Sequence, residues 1–134
     1  MKKLTALFLA LACVMGLCAC GHGLNVQVLD CSSNIYSDRE IDSAIDVTVR
    51  YFIKEFSGCT LVDITYIGDE KVNDYQEFAK RHNADDVIVL VSTFTVDASG
   101  GDGSLNPNST YRNWKWILVR NKGGKWKHVD HGYG

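Results

Sequence analysis

The 134-residue sequence lacks the short motifs that mark common catalytic sites. It contains no Gly-x-Ser-x-Gly, no His-Glu-x-x-His and no Cys-x-x-Cys, the local signatures of serine hydrolases, zinc proteases and thiol oxidoreductases. It also has no excess of basic charge, because the formal net charge is −2 at pH 7. We therefore expect neither a motif-defined enzyme nor a general nucleic-acid-binding protein.

The apolar run near the N-terminus is too short for a comfortable membrane span. It covers the 14 residues 4–17, interrupted by Thr5, whereas a spanning helix needs about 20. Lys2 and Lys3 precede this run, and small residues follow it. A basic start, a short apolar segment and small residues are typical of a secretory signal. The sequence thus predicts a signal peptide over residues 1–19.

The end of this segment, Leu17-Cys18-Ala19-Cys20, resembles the lipobox of bacterial lipoproteins. The resemblance implies that Cys20 is acylated and becomes the mature N-terminus, held at the extracytoplasmic face of the cell membrane. Cys18 suits this role less well because bulky Leu17 precedes it, and Cys13 would truncate the apolar run. We expect a tether over 20–35, which ends in a short strand where Leu24, Val26 and Val28 alternate with their neighbours, and one α+β domain over 36–134.

The first predicted element of the domain is a helix over about 38–57. Ser37 and Glu40 have the spacing of a capping box, and Gly58 is a natural stop. Apolar side chains recur at helical spacing and form one stripe that should face the core. The stripe contains Ile41, Ile45, Val49, Phe52 and Phe56.

The rest of the chain predicts one further helix and four strands. Strands are expected over 60–67, 86–96, 111–120 and 125–130, and a helix over about 70–82, capped by Asp69 and ended by Asn83. The order α-β-α-β-β-β indicates the α+β class, with the long helix packed on a curved antiparallel sheet. Segment 86–96 is apolar on both faces over its first half, which predicts a central strand covered on both sides along that half.

The apolar face of that strand opposite the long helix must be covered by other residues. Val87, Val89 and Val91 alternate with the residues that should face the long helix. A short second helix would cover only part of them. We expect a partly exposed apolar patch there, available to a protein partner or to a second copy of the chain.

The element order is similar to cystatin-like and NTF2-like folds. Segment 100–111, followed by Trp114, Trp116 and Trp126-Lys127-His128-Val129-Asp130-His131-Gly132, resembles a family of small bacterial lipoproteins with an uncharacterised domain of that fold. The resemblance extends over roughly 36–133. It implies a fold and a location and no particular activity.

The loop over 97–110 is the first candidate for a functional site, because long loops often carry function. Its candidate ligand-binding residues are Asp97, Asp102, Asn106, Asn108 and Tyr111. Three interpretations stay open: side chains that close turns on their own backbone, a ligand or partner loop, and a calcium-type oxygen site. The spacing does not match an EF-hand, so no metal is expected.

A second candidate is a pocket acid or base drawn from Asp63, His128 and Asp130. Asp63 lies between apolar neighbours on a predicted strand, as a buried acid would. On a regular strand His128 and Asp130 share a face while His131 points away. Two converging groups are too few for zinc, but they could form a dyad for proton transfer.

These observations favour a membrane-anchored, non-catalytic domain that binds a ligand or a partner outside the cell, without a cofactor. The alternatives are a small NTF2-like enzyme of the isomerase or hydrolase kind and an element that dimerises through its sheet. Whether the space between helix and sheet is hollow or solid should discriminate among them. Cys31 and Cys59 could form a disulfide, although two half-buried thiols are favoured because the long helix separates them.

Replacement of Cys20 by serine should abolish lipid attachment, because a hydroxyl cannot take the place of the acylated thiol. Mass spectrometry of the mature N-terminus should find acyl groups on Cys20 in the wild type and none in Cys20→Ser. A Cys20→Ser protein that is still lipidated and membrane-bound would refute the assignment.

Overall fold

The computed structural model describes residues 26–133. The predicted signal peptide over 1–19 and the predicted lipidation site Cys20 lie outside the described residues. Within the part that is described, no helix is long and apolar enough to cross a membrane.

The domain belongs to the α+β class and contains a five-stranded mixed sheet with strand order β1-β2-β3-β4-β5. Its strands and helices follow the chain in the order β1, α1, β2, α2, α3, β3, β4, β5. Their bounds are Gln27–Val28, Asp38–Glu55, Cys59–Tyr66, Asp69–Val72, Gln76–Arg81, Asp86–Val96, Thr110–Arg120 and Lys127–Gly132.

The short strand β1 makes the sheet mixed and corrects the expectation of a purely antiparallel one. Gln27 lies opposite Asp63 and Val28 opposite Ile64, and the two strands run parallel. The remaining neighbours are antiparallel, and β3 is central as predicted. The end of the predicted tether thus lies against the domain.

Helix α1 begins as the sequence predicts. The Ser37 hydroxyl accepts a hydrogen bond from the Glu40 amide, and the Glu40 carboxylate accepts one from the Ser37 amide. The helix ends at Glu55, two residues before the predicted end. Its apolar stripe faces the sheet, with Ile41, Ile45, Val49 and Phe52 buried and Phe56 half-buried.

The space between α1 and the inner face of the sheet is filled. Trp116 is completely buried there, and its indole N–H donates to the Ser92 hydroxyl at 2.8 Å. Other completely buried side chains on this inner face are Ile64, Ile88, Leu90, Phe94 and Leu118. The core is therefore solid over most of the helix–sheet contact.

A largely buried guanidinium joins the helix start to the sheet. The Arg120 guanidinium pairs with Glu40 of α1 and, at 3.0 Å, with Asp86 of β3. The same guanidinium lies 4.3 Å from the ring centre of Trp126, whose indole N–H donates to the Glu40 carbonyl. Both carboxylates thus stabilise a cation that is largely withdrawn from solvent.

The second helix is broken and does not run uninterrupted over 70–82. Segments α2 and α3 are separated by a 3₁₀ turn over Asn73–Tyr75, and Asn83 has the predicted left-handed conformation with φ 51°. Asp69 does not cap the helix with its side chain, because its carboxylate accepts hydrogen bonds from Ser33, Asn34 and Tyr66 instead. The Asp69 carboxylate thus binds residues outside the helix, although the local sequence pattern predicts that it caps the helix.

This helical segment covers more of the outer sheet face than the sequence predicts. Val87 and Val89 are fully buried, and only Val91 is half-buried. Val72 and Ala79 are buried in the same core cluster. The expected apolar patch is therefore limited to the part of the face around Val91, and a partner or second copy on that part stays a prediction.

Both cysteines in the described part of the chain are free thiols, and each is half-buried. Cys59 begins β2, whereas Cys31 follows β1, whose last residue lies opposite Ile64 further along β2. The two sulfurs are therefore kept apart, and this agrees with the favoured interpretation of two half-buried thiols rather than a disulfide.

Truncation of Phe52 should test whether α1 supports the fold. Phe52 is 2% exposed, so Phe52→Ala should lower the free energy of unfolding by about 3–5 kcal/mol through lost burial and a residual cavity. Lys54→Ala, on the exposed side of the same helix, should change it by less than about 0.5 kcal/mol. Urea unfolding measures both, and equal effects would show that the stripe does not carry the packing.

Candidate functional site

A cavity of about 280 Å³ opens at one end of the sheet, where the filled core stops. Its wall comes from the end of α1, the start of β2, the loop between β3 and β4, and the neighbouring ends of β4 and β5. The lining residues are Tyr51, Glu55, Phe56, Ser57, Cys59, Gly101, Asp102, Ser104, Leu105, Trp114 and His131. The volume is near the lower limit of small-molecule sites, which are typically about 300–1,000 Å³.

Aromatic rings form one side of this cavity. The Phe56 ring meets those of Trp114 and His131 nearly at right angles, with centroids 6.2 and 5.4 Å apart. Tyr51 lies near both Phe56 and His131, with centroids 6.4 and 5.8 Å away. The rings hold one another in place by edge-to-face contacts, so the wall is formed without a ligand.

Trp114 carries an unusual polar group in this wall. Its indole N–H is buried, and no acceptor within the described chain takes its hydrogen bond. A buried donor without a partner costs about 1–3 kcal/mol, so such groups in native proteins require an explanation. The nitrogen itself has almost no accessible surface, so it is the rest of the Trp114 ring that lines the cavity.

A bulge in β5 brings His128 and His131 together and corrects the expectation that His131 points away. His128 lies opposite Leu118 and His131 opposite Trp116, with one extra residue on β5 between these pairs. Both rings therefore face α1. His131 Nδ1 lies 3.2 Å from His128 Nε2, close enough for one nitrogen to donate to the other.

The two imidazoles are held neutral by their surroundings. Burial lowers the pKa of His128 from its ordinary 6.5 to about 4, and the neighbouring His131 contributes in the same direction. Burial also lowers the pKa of His131, against the opposing effect of the Asp130 carboxylate. The His128 ring lies on Tyr51, with centroids 4.0 Å apart. The pair thus behaves as part of the aromatic layer at neutral pH.

The loop over 97–109 is organised by its own side chains. Asp97 accepts hydrogen bonds from the amide and hydroxyl of Ser99, and Asp102 accepts the same pair from Ser104. These bonds lower the pKa of both carboxyls, so both are charged at neutral pH. The turn-closing interpretation therefore accounts for both aspartates, and Asp102 in addition lines the cavity.

The other predicted loop residues, Asn106, Asn108 and Tyr111, make hydrogen bonds that fix the C-terminal part of the loop. The Asn106 amide donates to the Tyr111 hydroxyl at 3.0 Å, and the Asn108 amide donates to the Asp97 carbonyl. Asn108 has φ 52°, which asparagine tolerates in turns. None of these three residues lines the cavity. Within residues 26–133, no group of three or more potential ligands is arranged to hold a metal ion.

The structure does not bring together the three groups proposed as a pocket acid or base. Asp63 faces the outer side of the sheet, where its carboxylate accepts from the Thr93 amide at a bulge in β2. Asp130 is exposed and accepts from the His131 amide. His128 lies on the inner side under Tyr51. The three side chains therefore do not share a site.

Several cavity residues were not anticipated from the sequence. Tyr51 and Glu55 lie on the flank of α1, beside the apolar stripe, and Ser57 follows the helix end. The sequence points to Cys59 only as a possible disulfide partner. Burial, with the nearby Asp97 and Asp102, raises the pKa of its thiol, so the sulfur stays protonated. One local feature of the sequence points to this cavity: aromatic residues at 51, 52 and 56 make the apolar stripe of α1 wider near its end.

Comparison with protein-family models, with curated proteins and with solved structures finds no match to this chain.

The neutral histidines predict a loss of stability on mild acidification. The pKa of His128 is about 4 in the folded protein and near 6.5 unfolded, so between these values the unfolded chain binds more protons. Stability is therefore complete above about pH 6.5 and falls as the pH drops toward 4. Because the ring is only half-buried, we expect a loss of about 1–2 kcal/mol from this residue.

The measurement is urea unfolding at pH 7 and pH 5, where carboxyl protonation still contributes little. His128→Phe keeps a ring against Tyr51 and cannot titrate, so it should lose less stability than the wild type over this interval. Identical losses in the two proteins would contradict the assignment to His128.

Proposed function

We propose that this chain is a lipid-anchored, extracytoplasmic protein that binds a small ligand without chemically changing it. The observation that carries the binding proposal is the cavity of about 280 Å³ beside a core that is otherwise filled. Its wall combines the rings of Tyr51, Phe56 and Trp114 with a larger accessible share of polar groups, contributed by residues such as Glu55, Asp102 and Ser104. Anchoring through Cys20 is supported by the lipobox-like sequence alone.

We also propose that the domain has a cystatin-like or NTF2-like fold. Support comes from one long helix that lies across the inner face of four antiparallel strands, with short helices on the outer face. The similarity to small bacterial lipoproteins rests on the sequence of segment 100–132 and adds an expected location.

Binding without catalysis is favoured by where the titratable groups lie. Asp63 and Asp130 are on the outer side and the surface, and the cavity thiol is protonated. One observation favours the alternative of a small enzyme: His131 lines the cavity. Its imidazole, however, is packed against Trp114 and Trp116 and lies within hydrogen-bond distance of His128, as a structural group would be.

A cavity-blocking variant tests the binding function. Ser57 lines the cavity, and its exposed side chain makes no hydrogen bond to any residue among 26–133, so Ser57→Trp should fill the opening with little cost to the fold. Ser43→Trp, on the exposed side of α1, is the matched control. Ligand-observed NMR against a set of small polar and charged solutes should detect binders of the wild type and of Ser43→Trp that Ser57→Trp loses.

Two results would contradict this function. Binders that persist in Ser57→Trp would place the site elsewhere on the molecule. A solute that is consumed and released as a product, with loss of turnover in His131→Gln, would identify an enzyme.

A further inference from the structure

We propose that His128 and His131 form a two-step acid switch beside the cavity. The first proton leaves the two rings joined and places a positive charge on the cavity wall, and the second separates them and frees the end of β5 from α1. The switch goes beyond the proposed binding function and does not depend on it, because its tests concern the protein without a ligand. Three observations lead to it: the contact between the two rings, the groups packed around them and the place of β5 at the edge of the sheet.

The pair can take up one proton without losing its contact. His131 Nδ1 lies 3.2 Å from His128 Nε2, so in the neutral pair one of these nitrogens donates a hydrogen bond and the other accepts it. The donating ring has its free lone pair on its other nitrogen, and a proton added there leaves the bond in place and makes it charge-assisted. The accepting ring has its only lone pair in the bond. A second proton can enter only at that lone pair, and it removes the bond.

The position of the two rings sets the order of the steps. His131 lines the cavity, whereas the His128 ring lies against Tyr51 with centroids 4.0 Å apart. Burial, with the charge on His131 as a smaller contribution, lowers the pKa of His128 to about 4. Burial lowers the pKa of His131 as well, and the Asp130 carboxylate opposes the effect at both rings. His131 therefore takes the first proton and His128 the second.

The surroundings of the pair accommodate one positive charge and oppose two. The His131 ring lies beside Trp114 and Trp116, with centroids 5.9 and 5.3 Å away, and aromatic rings stabilise a neighbouring cation. Two imidazolium rings in direct contact repel each other more strongly than such contacts attract. Further titratable or charged groups line the cavity or lie on the elements packed against the pair. They are Tyr51 and Glu55 of α1, Cys59 of β2, Asp102 of the loop, Lys115 of β4 and Asp130 of β5.

Separation of the rings would release one side of the cavity. β5 is an edge strand, so it pairs with β4 on one side only. On its inner face His128 contacts Tyr51 of α1, and His131 contacts Phe56 at the end of that helix with centroids 5.4 Å apart. When both rings are charged this packing is lost, and Trp116, which is completely buried beneath them, becomes accessible. The cavity is then wider below the second step than above it.

Titration of the histidine rings tests the two steps in the wild type. NMR of the full chain in detergent, which follows the ring nitrogens from neutral pH downward, should show His131 titrating first and His128 in a separate step near pH 4. His82 is exposed after the end of α3 and reports a ring outside the pair. Titration of both rings in one step, or of His128 before His131, would refute the switch.

Single variants should give opposite shifts. In His131→Phe the neighbouring charge is absent, so the pKa of His128 should rise by about one pH unit. In His128→Phe the acceptor of the charge-assisted bond is absent, so the pKa of His131 should fall. His82→Gln is the matched control and should change neither. Unchanged pKa values in both single variants would show that the rings titrate independently, which would overturn the proposal.

Accessibility of the tryptophans tests the opening. Acrylamide quenching of the full chain in detergent should change little through the first step and rise at least about 2-fold through the second, while far-UV circular dichroism stays constant, as for a local opening. His128→Phe cannot take the second proton and should show no rise before its dichroism is lost. Quenching that rises only as the dichroism is lost, or equally in His128→Phe, would identify general acid unfolding and exclude the switch.

Discussion

The burial of Trp116 between the long helix and the sheet is the constraint on which the other elements depend. Its ring fills the centre of the inner face, and its N–H finds a partner in Ser92 on the adjacent strand. Burying so large a side chain contributes several kcal/mol only while α1 remains in place over it. Phe52 and Phe56 contact the same ring, so the end of α1 is fixed in the position from which the cavity wall is built.

The regular part of this architecture could be predicted from local sequence. The Ser37 and Glu40 pair marks the helix start, and the apolar stripe gives its buried face correctly. The apolar side chains on both faces of segment 86–96 predict a central strand covered on both sides along its first half, which the structure confirms with Val87, Ile88, Val89 and Leu90 all buried. These features can be predicted because, within each element, the spacing of apolar residues along the sequence matches the face that is buried.

Two kinds of feature could not be predicted. In one, an extra residue reverses which side chains of a strand face inward; in the other, a distant residue takes up the hydrogen bonds that a local pattern requires. A single extra residue in β5 turns His131 to the inner face, and a two-residue period gives no warning of it. The Asp69 carboxylate does not cap the helix as predicted, because it accepts hydrogen bonds from Ser33 and Asn34, which lie more than 30 positions earlier. The cavity itself joins one helix, three strands and a loop, so its lining depends on tertiary packing rather than on any motif.

The parallel direction of β1 has a consequence for how the molecule would stand on a membrane. Because Gln27 lies opposite Asp63 and Val28 opposite Ile64, the chain enters β1 from the side where β2 begins at Cys59. The cavity opens at that same end. With lipid on Cys20, as proposed, the stretch from there to Gln27 reaches at most about 25 Å. The anchor would then hold the mouth of the cavity close to the bilayer surface, where solute composition is set by lipid headgroups and their counterions.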